Sequence, residues 1–417
     1  MMNNITFFAE DRRVSAALTG IAIGVSGGIL ALLIVLVGPV LAFGFMLGLG
    51  VALYVLTDLH GGLYMTIAVI ALLPFAQVPF EMSPRPTLLD GAMGGFLIVY
   101  LFQWMTGQRR LFRSTPVTPI VLTFTGFMFF AYLMGLRHAA IDMRTLRTIA
   151  EMLISLLLIP VLIDVMRDET MLRRAVLALM IFGAAEALIG IVLWALPDLT
   201  AETILNRLGR FGYPMGGVIR YRENNVAMLN ERAIGTWVDP NAFGGFLLMI
   251  GAVIAPQLFA EKPVAKRWHT AVMLGLVVIA LFLTDSRGSM LSLGAAFTFI
   301  AAIRYRRLLV IMGVVVLLSL PTPFMQRYID KLAAGFTNQD VETQMRWGEY
   351  KDAVTLITRH PVFGAGFSAT PEIDLYFGVA STYLTVASHA GLTGLALYLL
   401  MMGGAFVYSM SHYRAIQ

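Results

Sequence analysis

The chain has 417 residues, of which 58% are hydrophobic and only 13% charged, with a formal net charge of +5 and no cysteine. Such a composition is too apolar for a protein dissolved in water, so a lipid bilayer is the expected solvent. The absence of cysteine excludes disulfides, a thiolate nucleophile and a cysteine metal site. We attribute the positive charge to cytoplasmic loops and expect no nucleic acid partner.

Apolar stretches follow one another along most of the chain, and about 20 apolar residues cross a hydrocarbon core of roughly 30 Å. They fall at about 15–36, 40–57, 62–80, 88–106, 118–136, 145–166, 173–197, 240–259, 269–284, 288–304, 308–320 and 379–410. We therefore predict an all-α, polytopic integral membrane protein with about twelve transmembrane helices in contact with membrane lipids. The first stretch has no cleavage site and is expected to remain as an anchor.

The distribution of lysine and arginine predicts the orientation, because cytoplasmic loops are enriched in these residues. With Arg12 and Arg13 taken as cytoplasmic, fifteen of the thirty basic residues fall in cytoplasmic connections and five in short connections on the other side. The other ten lie in two long loops, at about 198–239 and 321–378. Both termini are thus predicted to be cytoplasmic and both long loops extracytoplasmic, in a multi-pass protein of the bacterial inner membrane.

The first long loop mixes arginines with aromatic residues, a composition suited to phosphate and sugar and also typical of a solvated loop. Its arginines are Arg207, Arg210, Arg220, Arg222 and Arg232. The loop ends in the sequence ERAIGTWVDPNAFG (231–244), in which Asp239 is expected to cap a helix that begins at Pro240. Capping does not explain Arg232 or Asn241, and an arginine beside a helix N-terminus can hold a phosphate or pyrophosphate.

The sequence TDSRGS (284–289) joins two apolar stretches with almost no loop between them. An arginine at the centre of a membrane helix costs about 2.5–3.5 kcal/mol on insertion scales, so it usually has a partner or a function. Two interpretations of Arg287 remain open. It pairs with Asp285 or reaches the headgroups, or its guanidinium faces a pyrophosphate in a pocket of the outer leaflet.

A third pattern occupies the second long loop and the last apolar stretch. A helix is predicted near 341–358, with an apolar side on the membrane surface formed by Val341, Met345, Val354 and Ile357. Arg346 and Glu349 point away from that side. The sequence HPVFGAGF (360–367) follows, and then STYL (381–384) and GLTG (391–394) lead into the last stretch.

In this order the three patterns resemble the O-antigen ligase and polymerase superfamily of bacterial membrane glycosyltransferases. In that family an arginine and a Pro-Asn end the first outer loop, and a Ser-Arg-Gly lies between two later helices. An arginine, an aromatic residue and a His-Pro-x-x-Gly-x-Gly run occupy the second loop. The resemblance spans about 230–400, so we divide the chain into N-terminal transmembrane helices (1–200) and a ligase/polymerase-like region (201–417) and expect a GT-C-like fold.

The resemblance implies an inverting glycosyltransferase that needs neither a metal nor another cofactor. It would move a glycan from undecaprenyl pyrophosphate onto a glycan or lipid-linked acceptor at the outer face of the inner membrane. Guanidinium groups would stabilise the departing pyrophosphate as its charge develops. The catalytic candidates are Arg232, Arg287, Arg346 and Glu349, and the substrate-binding candidates are Arg210, Arg220, Arg222, Asn241 and His360.

The sequence departs from the ligases of the family where the final helix begins. Ligases usually have a histidine shortly before the Tyr-Leu there, and the sequence VASTYL (379–384) has none. His389 is expected to be a structural hydrogen-bonding residue, and His360 to shape its His-Pro turn. Glu349, Glu372 and Asp374 remain as candidate bases. The missing histidine favours a surface polysaccharide polymerase over a lipid A-core ligase.

A lipid-linked oligosaccharide flippase or another transporter is the alternative function. Charged residues within the membrane are typical of transporters, and Asp90, Glu151 and Glu186 are candidates for such a role. Transporters also commonly contain two repeated halves, and this sequence shows no evident duplication. We therefore prefer the transferase.

Overall fold

The structure is a computed structural model that describes residues 58–77, 85–109, 111–138, 142–215, 231–322, 341–367 and 381–412, with isolated positions at 20–35 and 325–333. The chain divides into one unit at residues 1–62 and a second at 63–417. In the first unit, the described positions between 20 and 35 are helical. The candidate site lies in the second unit.

Twelve helices have bounds within the described residues, and we number them in chain order. They are α1 (Leu59–Leu72), α2 (Leu88–Met105), α3 (Thr118–Gly135), α4 (Met143–Val165), α5 (Glu169–Ala195), α6 (Asp198–Arg207), α7 (Pro240–Gln257), α8 (Arg267–Leu283), α9 (Arg287–Ile303), α10 (Arg306–Ser319), α11 (Val341–Arg359) and α12 (Thr382–His412). A short 3-10 helix at Leu208–Phe211 follows α6. Apart from one isolated bridge between Gln77 and Thr87, the regular structure of the described residues is helical. The all-α prediction is confirmed.

Six of the described helices are long and apolar enough to cross a membrane, namely α2, α3, most of α4, α5, α7 and α12. Apolar side chains cover their outer surface, as on α2, where Phe102 is 61% and Met105 is 85% exposed. Contiguous apolar surface of this kind is expected to face lipid. The protein is therefore a multi-pass membrane protein.

The predicted count of about twelve spans is not confirmed. Helices α1, α8 and α9 are apolar but contain only 14, 17 and 17 residues, about 21–26 Å at 1.5 Å per residue. The stretches predicted at 15–36 and 40–57 lie largely outside the described residues. The count, the extracytoplasmic side of the long loops and the GT-C-like fold stay predictions.

Local signals explain where several helices begin. Thr87 caps α2 by accepting a hydrogen bond from the Asp90 amide (3.0 Å), and the Asp90 side chain accepts one from the Thr87 amide (2.7 Å). Asp239 caps α7 as predicted, because its Oδ1 accepts hydrogen bonds from the amides of Asn241 (2.8 Å) and Ala242 (2.7 Å). Pro240 is the first residue of α7, where a missing amide proton costs nothing.

The largest buried cluster joins α5, α7, α8 and α9, with Phe243, Ile250, Val277 and Leu293 at its centre. A smaller cluster joins α3, α4 and α12, and α11 packs against α12. The buried residues of α11 include Ala353 and Leu356, while Met345 and Val354 are exposed. The second long loop thus contains a helix where one was predicted, attached to the last membrane helix through its other side.

Two groups of ion pairs fasten α2 to α4, one near each end. Near the helix starts, Arg147 binds Glu151 (2.6 Å) and Asp90 (3.2 Å). At the opposite ends, the fully buried Asp164 accepts hydrogen bonds from the Tyr100 hydroxyl (3.0 Å), Arg109 (3.2 Å), Arg167 and the Arg113 amide (2.7 Å). These charges have structural partners, including two of the carboxylates considered for a transporter.

Candidate active site

The first long loop ends in a segment that enters the helix bundle. At its start, Trp194 near the end of α5 donates a hydrogen bond from Nε1 to the Glu231 carbonyl (2.9 Å). Thr236 is buried against Glu186, which lies nine residues before the end of α5, a depth of about 13 Å at 1.5 Å per residue. We call residues 231–239 the re-entrant segment.

The re-entrant segment has an unusual backbone that packing holds in place. Gly235 has φ +52°, and a Cβ there would collide with the Glu186 carboxyl group. Val238, with φ +64°, adopts a conformation that is strained for a β-branched residue. Trp237 stacks on Phe246 with ring centroids 4.7 Å apart. Its indole also donates a hydrogen bond to the Ala71 carbonyl (3.2 Å), so Trp237 anchors the segment to α7 and α1.

Arg232 lies where the re-entrant segment meets the ends of two other helices. Its Nε donates a hydrogen bond to the Thr284 carbonyl (2.8 Å), at the end of α8, and its Nη2 donates one to Asn241 Oδ1 (2.9 Å), at the start of α7. The neighbouring Ala233 amide donates to the Leu283 carbonyl (2.8 Å). The structure therefore brings together Arg232 and Asn241, which the sequence analysis had placed in one site.

Among the described residues, Arg232 forms no ion pair with an acidic side chain; the ion pairs seen there, such as those of Arg109 and Arg147, involve other residues. Both of its acceptors are uncharged, and the guanidinium is half-buried. A guanidinium carries five N–H groups in a planar fork. Three of them remain beyond the two hydrogen bonds, so Arg232 can bind an anion.

The turn between α8 and α9 is as tight as the sequence predicted. Helix α8 ends at Leu283 and α9 begins at Arg287, and Asp285 between them has φ +52°. The buried Thr284 hydroxyl donates to the Leu281 carbonyl (2.7 Å) and accepts from the Ser286 amide (3.2 Å). Arg287 is half-buried at the N-terminus of α9, three residues after the carbonyl that Arg232 binds. Residues 231–241 and 283–289 form what we call the arginine junction.

Helix α7 approaches this turn closely. The hydroxyl groups of Ser286 and Ser289 are 3.0 Å apart and lie against Gly244, where a Cβ would be 2.8 Å from Ser289 Oγ. The glycine thus lets the start of α7 and the start of α9 meet. Because a helix N-terminus carries partial positive charge, two such termini add to the positive potential of the arginine junction.

Tyr328, from the second long loop, also reaches the arginine junction. Its hydroxyl donates a hydrogen bond to the Arg287 carbonyl (3.2 Å). Burial raises the pKa of Tyr328, while the charge of Arg287 lowers it and that of Asp285 raises it. Tyr328 could not be identified from the sequence alone, because an isolated tyrosine in a loop belongs to no recognisable pattern.

The other predicted site residues are not shown to join the arginine junction. Arg210 is exposed on the 3-10 helix, and Arg220 and Arg222 lie outside the described residues. On α11, Arg346 is exposed and Glu349 half-buried. Their roles stay predictions.

His360 shapes the turn that follows α11. Its amide donates to the Leu356 carbonyl (2.9 Å), and its carbonyl accepts from the Gly364 amide (3.1 Å). Its ring lies edge-on to His138, with centroids 5.2 Å apart. These contacts give His360 a structural role whether or not it also binds substrate.

The glycines of the sequence HPVFGAGF pack backbone against backbone. The amides of Ala365 and Gly366 donate to the carbonyls of Ser388 (2.8 Å) and His389 (3.0 Å), and the Leu392 amide donates to the Pro361 carbonyl (2.8 Å). We call residues 361–367 and 388–392, with Gly135 of α3, the glycine junction.

Three glycines of this junction adopt the left-handed region: Gly364 (φ +73°), Gly366 (φ +79°) and Gly391 (φ +68°). A Cβ on any of them would collide with backbone atoms of a neighbouring segment. His389 Nδ1 lies 2.7 Å from the Gly366 carbonyl oxygen, and its ring stacks on Phe367 at 4.6 Å. His389 thus has the hydrogen bond expected of a structural histidine.

The described residues contain no group of three or more His, Asp or Glu side chains arranged to hold a metal ion. Comparison with known proteins adds one finding to this geometry. Residues 271–399 match the family described as O-antigen ligase, a range that includes Arg287, Arg346 and His360 and begins after Arg232. No curated protein and no solved structure matches the chain. Residues 271–399 are therefore similar to the O-antigen ligase family.

Proposed function

We propose that the protein is a membrane glycosyltransferase that moves a glycan from undecaprenyl pyrophosphate onto an acceptor at the outer face of the inner membrane. It would act as a surface polysaccharide polymerase or as an O-antigen ligase. The observation that supports this proposal most is the state of Arg232, a half-buried guanidinium that only neutral acceptors bind among the described residues. A pyrophosphate supplies the anion that this geometry suits.

Other arginines of the described residues differ from Arg232 in having acidic partners. Arg109, Arg147 and Arg167 each bind a carboxylate, so each of these guanidinium groups has an acidic partner inside the protein. Arg232 keeps donors for two oxygens of one phosphate group, a geometry that arginine offers and lysine does not. The similarity of residues 271–399 to O-antigen ligases supports a glycan carrier as the anion that Arg232 binds.

The proposed reaction breaks one bond and forms one. The acceptor hydroxyl oxygen attacks the anomeric carbon from the face opposite the phosphate, the bond from that carbon to the phosphate oxygen breaks, and a base takes the hydroxyl proton. Undecaprenyl pyrophosphate leaves with the bonding electrons, and its growing negative charge is stabilised by Arg232 and Arg287. Positive charge comes from the protein, so no metal or other cofactor is required.

Two residues of α11 complete the proposed site. Arg346 would approach the pyrophosphate from the second long loop, and Glu349, one helical turn further along α11, would be the base that receives the acceptor proton. Asn241 would orient Arg232, and Arg210, Arg220, Arg222 and His360 would contact the glycan. The hydrogen bond from Tyr328 to the Arg287 carbonyl supports an approach of the second loop to the arginine junction.

The test is a transfer assay with purified protein in lipid vesicles, supplied with an undecaprenyl-pyrophosphate-linked glycan and a glycan or lipid-linked acceptor. Formation of a new glycosidic bond together with released undecaprenyl pyrophosphate is the expected result. Movement of unchanged lipid-linked glycan across the membrane would contradict the proposal and favour the flippase.

A deletion strain distinguishes the two kinds of transferase. Loss of long chains with single-repeat products retained indicates a polymerase, whereas lipid-linked polymer that accumulates without being attached indicates a ligase.

A further inference from the structure

Glu186 is a carboxyl group in the interior of a membrane helix, and its side chain is completely buried in α5. Its Oε1 accepts two hydrogen bonds, from the Thr236 amide (2.7 Å) and the Thr236 hydroxyl (3.0 Å). Both donors are uncharged and belong to the re-entrant segment. An acidic side chain at this depth is costly and usually has a function.

The surroundings of Glu186 are not those of a group retained for stability. Among the described residues, its second oxygen, Oε2, has no hydrogen-bond partner, and the same holds for the buried hydroxyl of Tyr213. Leaving such atoms unpaired destabilises the fold, and sites that break packing rules in this way are often functional. Burial also raises the pKa of Tyr213 to about 12, so its hydroxyl keeps its proton.

The re-entrant segment connects Glu186 to Arg232 over a short, stiff path. Thr236 follows Arg232 by four residues, and Gly235 between them lies so close to Glu186 Oε1 that no side chain fits there. The Ala233 amide is bound to the end of α8. A shift of Thr236 away from α5 would therefore move the chain on which Arg232 lies.

We propose that Glu186 is a positioning residue for the transferase. Its carboxyl group holds Thr236, and with it the re-entrant segment, so that Arg232 and Asn241 are presented together to the pyrophosphate. The role in catalysis rests on the proposed function, whereas the positioning of the segment can be measured without any activity. Misplacement of a charged group by about 1 Å can lower a rate by roughly a hundredfold.

The variants Glu186→Gln and Glu186→Leu show whether Glu186 acts through its hydrogen bonds to Thr236 or only by filling space. The amide oxygen of glutamine can accept both hydrogen bonds from Thr236, so Glu186→Gln should keep the segment in place and keep the activity. Leucine fills a similar volume and accepts none. Glu186→Leu should lower kcat by about a hundredfold, with a smaller effect on KM for the lipid-linked glycan.

The position of the segment can be followed by thiol labelling, because the protein has no cysteine of its own. Ala233 is 2% exposed, so Ala233→Cys should resist a water-soluble maleimide in the wild-type background and with Glu186→Gln. With Glu186→Leu, the same thiol should react. Leu199, which is 81% exposed on α6, provides the positive control, since Leu199→Cys should react in every background.

Asp164 is the matched control because it is also a completely buried carboxylate of a membrane helix. Its partners, Tyr100 and Arg109, lie near the end of α2 and belong to neither junction. Asp164→Leu should lower the thermal unfolding temperature of the purified protein and leave kcat per folded molecule unchanged. A purely structural Glu186 would behave in the same way, with a normal kcat for the molecules that fold.

Thiol labelling and kcat together test the proposal. If the thiol introduced by Ala233→Cys stays protected with Glu186→Leu, the proposal is overturned, and labelling without a fall in kcat overturns it as well. Labelling together with a lowered kcat, both restored by Glu186→Gln, supports it. If the wild-type protein transfers no glycan, the proposed function fails, while the labelling still shows whether Glu186 positions the segment.

Discussion

The arginine junction and the glycine junction both join a long loop to the ends or breaks of membrane helices, but they use different chemistry. In the arginine junction, one backbone hydrogen bond joins Ala233 to Leu283, and side chains add further contacts, since the Arg232 guanidinium binds a carbonyl and an amide oxygen. In the glycine junction, backbone amides and carbonyls make the contacts, and the glycines leave no room for side chains. The arginine junction presents charge, whereas the glycine junction is closed mainly by packing of backbone against backbone.

This difference separates two kinds of motif residue that look equally specific in the sequence. The glycines of HPVFGAGF are required because the backbones touch. The described acceptors of Arg232 are uncharged, so we expect Arg232, and with it Arg287, to serve a ligand. Substitutions in the glycine junction should therefore act on folding, and substitutions in the arginine junction should act on transfer.

Gly366→Ala should have the largest effect. A methyl group at this position would lie 2.8 Å from the Gly135 amide nitrogen and closer still to its Cα, and φ +79° disfavours an L-residue by about 1–2 kcal/mol. With overpacking of about 1–3 kcal/mol, we expect a loss of stability of about 2–5 kcal/mol, measured by thermal unfolding in detergent. Gly403→Ala in α12, where nothing lies within 4 Å, should unfold like the wild type. Equal stability of both variants would contradict the packing role.

Arg232→Lys comes next and should act on activity alone. Lysine keeps the charge but loses the planar fork, and removing one preorganised contact to a developing anion typically costs about 2.7–4 kcal/mol, or roughly a hundredfold or more in rate. The measurement is the transfer rate per membrane-inserted protein. The control is Arg147→Lys, because Arg147 binds Asp90 and Glu151 and its loss should reduce stability with little change in specific activity. If Arg232→Lys lowered only stability and Arg147→Lys lowered only the transfer rate, the prediction would be wrong.

Arg287→Lys should lower transfer by about a hundredfold for the same reason, with nearly normal amounts of protein in the membrane. Comparison with Arg287→Ala separates charge from shape. Wild-type activity in both variants would remove Arg287 from the mechanism. Disappearance of the protein from the membrane would instead favour a structural ion pair with Asp285.

Asn241→Ala should have a smaller effect. It removes one neutral acceptor of Arg232, and a hydrogen bond to a charged group is worth about 1.5 kcal/mol or more, which corresponds to about a tenfold loss of transfer. Asn241→Asp should be worse than alanine, because the new carboxylate would compensate the guanidinium charge. An Asn241→Asp variant as active as the wild type would show that Arg232 does not need its charge free.

His360→Ala is expected to have the smallest effect on transfer. Its backbone groups close the turn after α11, and alanine can make the same backbone contacts. Only the proposed contact of its ring with the glycan is lost, so the specific activity should fall less than with Asn241→Ala. A large fall in kcat with unchanged thermal unfolding would show that the turn leading into the glycine junction also contributes chemistry, and the comparison of the two junctions would then fail.

The sequence predicted features that depend on local signals. Asp239 and Pro240 begin α7 because a capping side chain followed by proline acts within one turn. The tight turn around Arg287 follows from the short distance between two apolar stretches. Most helix bounds agree within a few residues with the predicted apolar runs, but α1 ends at Leu72, well before the end of the run predicted at 62–80.

The remaining features depend on contacts between distant segments. Glu186 and Thr236 are separated by 50 residues, and Arg232 and Thr284 by 52, and neither pair shares a local pattern. In the sequence, Glu186 suggested a transporter, because its partner could be identified only from the fold. Likewise, Asp90 and Glu151 acquire a structural explanation once Arg147 is seen between them.

The break in α12 at Gly391 bears on how the protein is made. A helix interrupted within the membrane must find new partners for its freed backbone groups, and at this break residues 361–366 provide them. Those residues leave the ribosome before α12 does, but their partners do not exist until α12 has been synthesised. The last helix therefore reaches its final shape only when the second long loop folds back onto it. Completion of the glycine junction is thus a late step in the biogenesis of the protein.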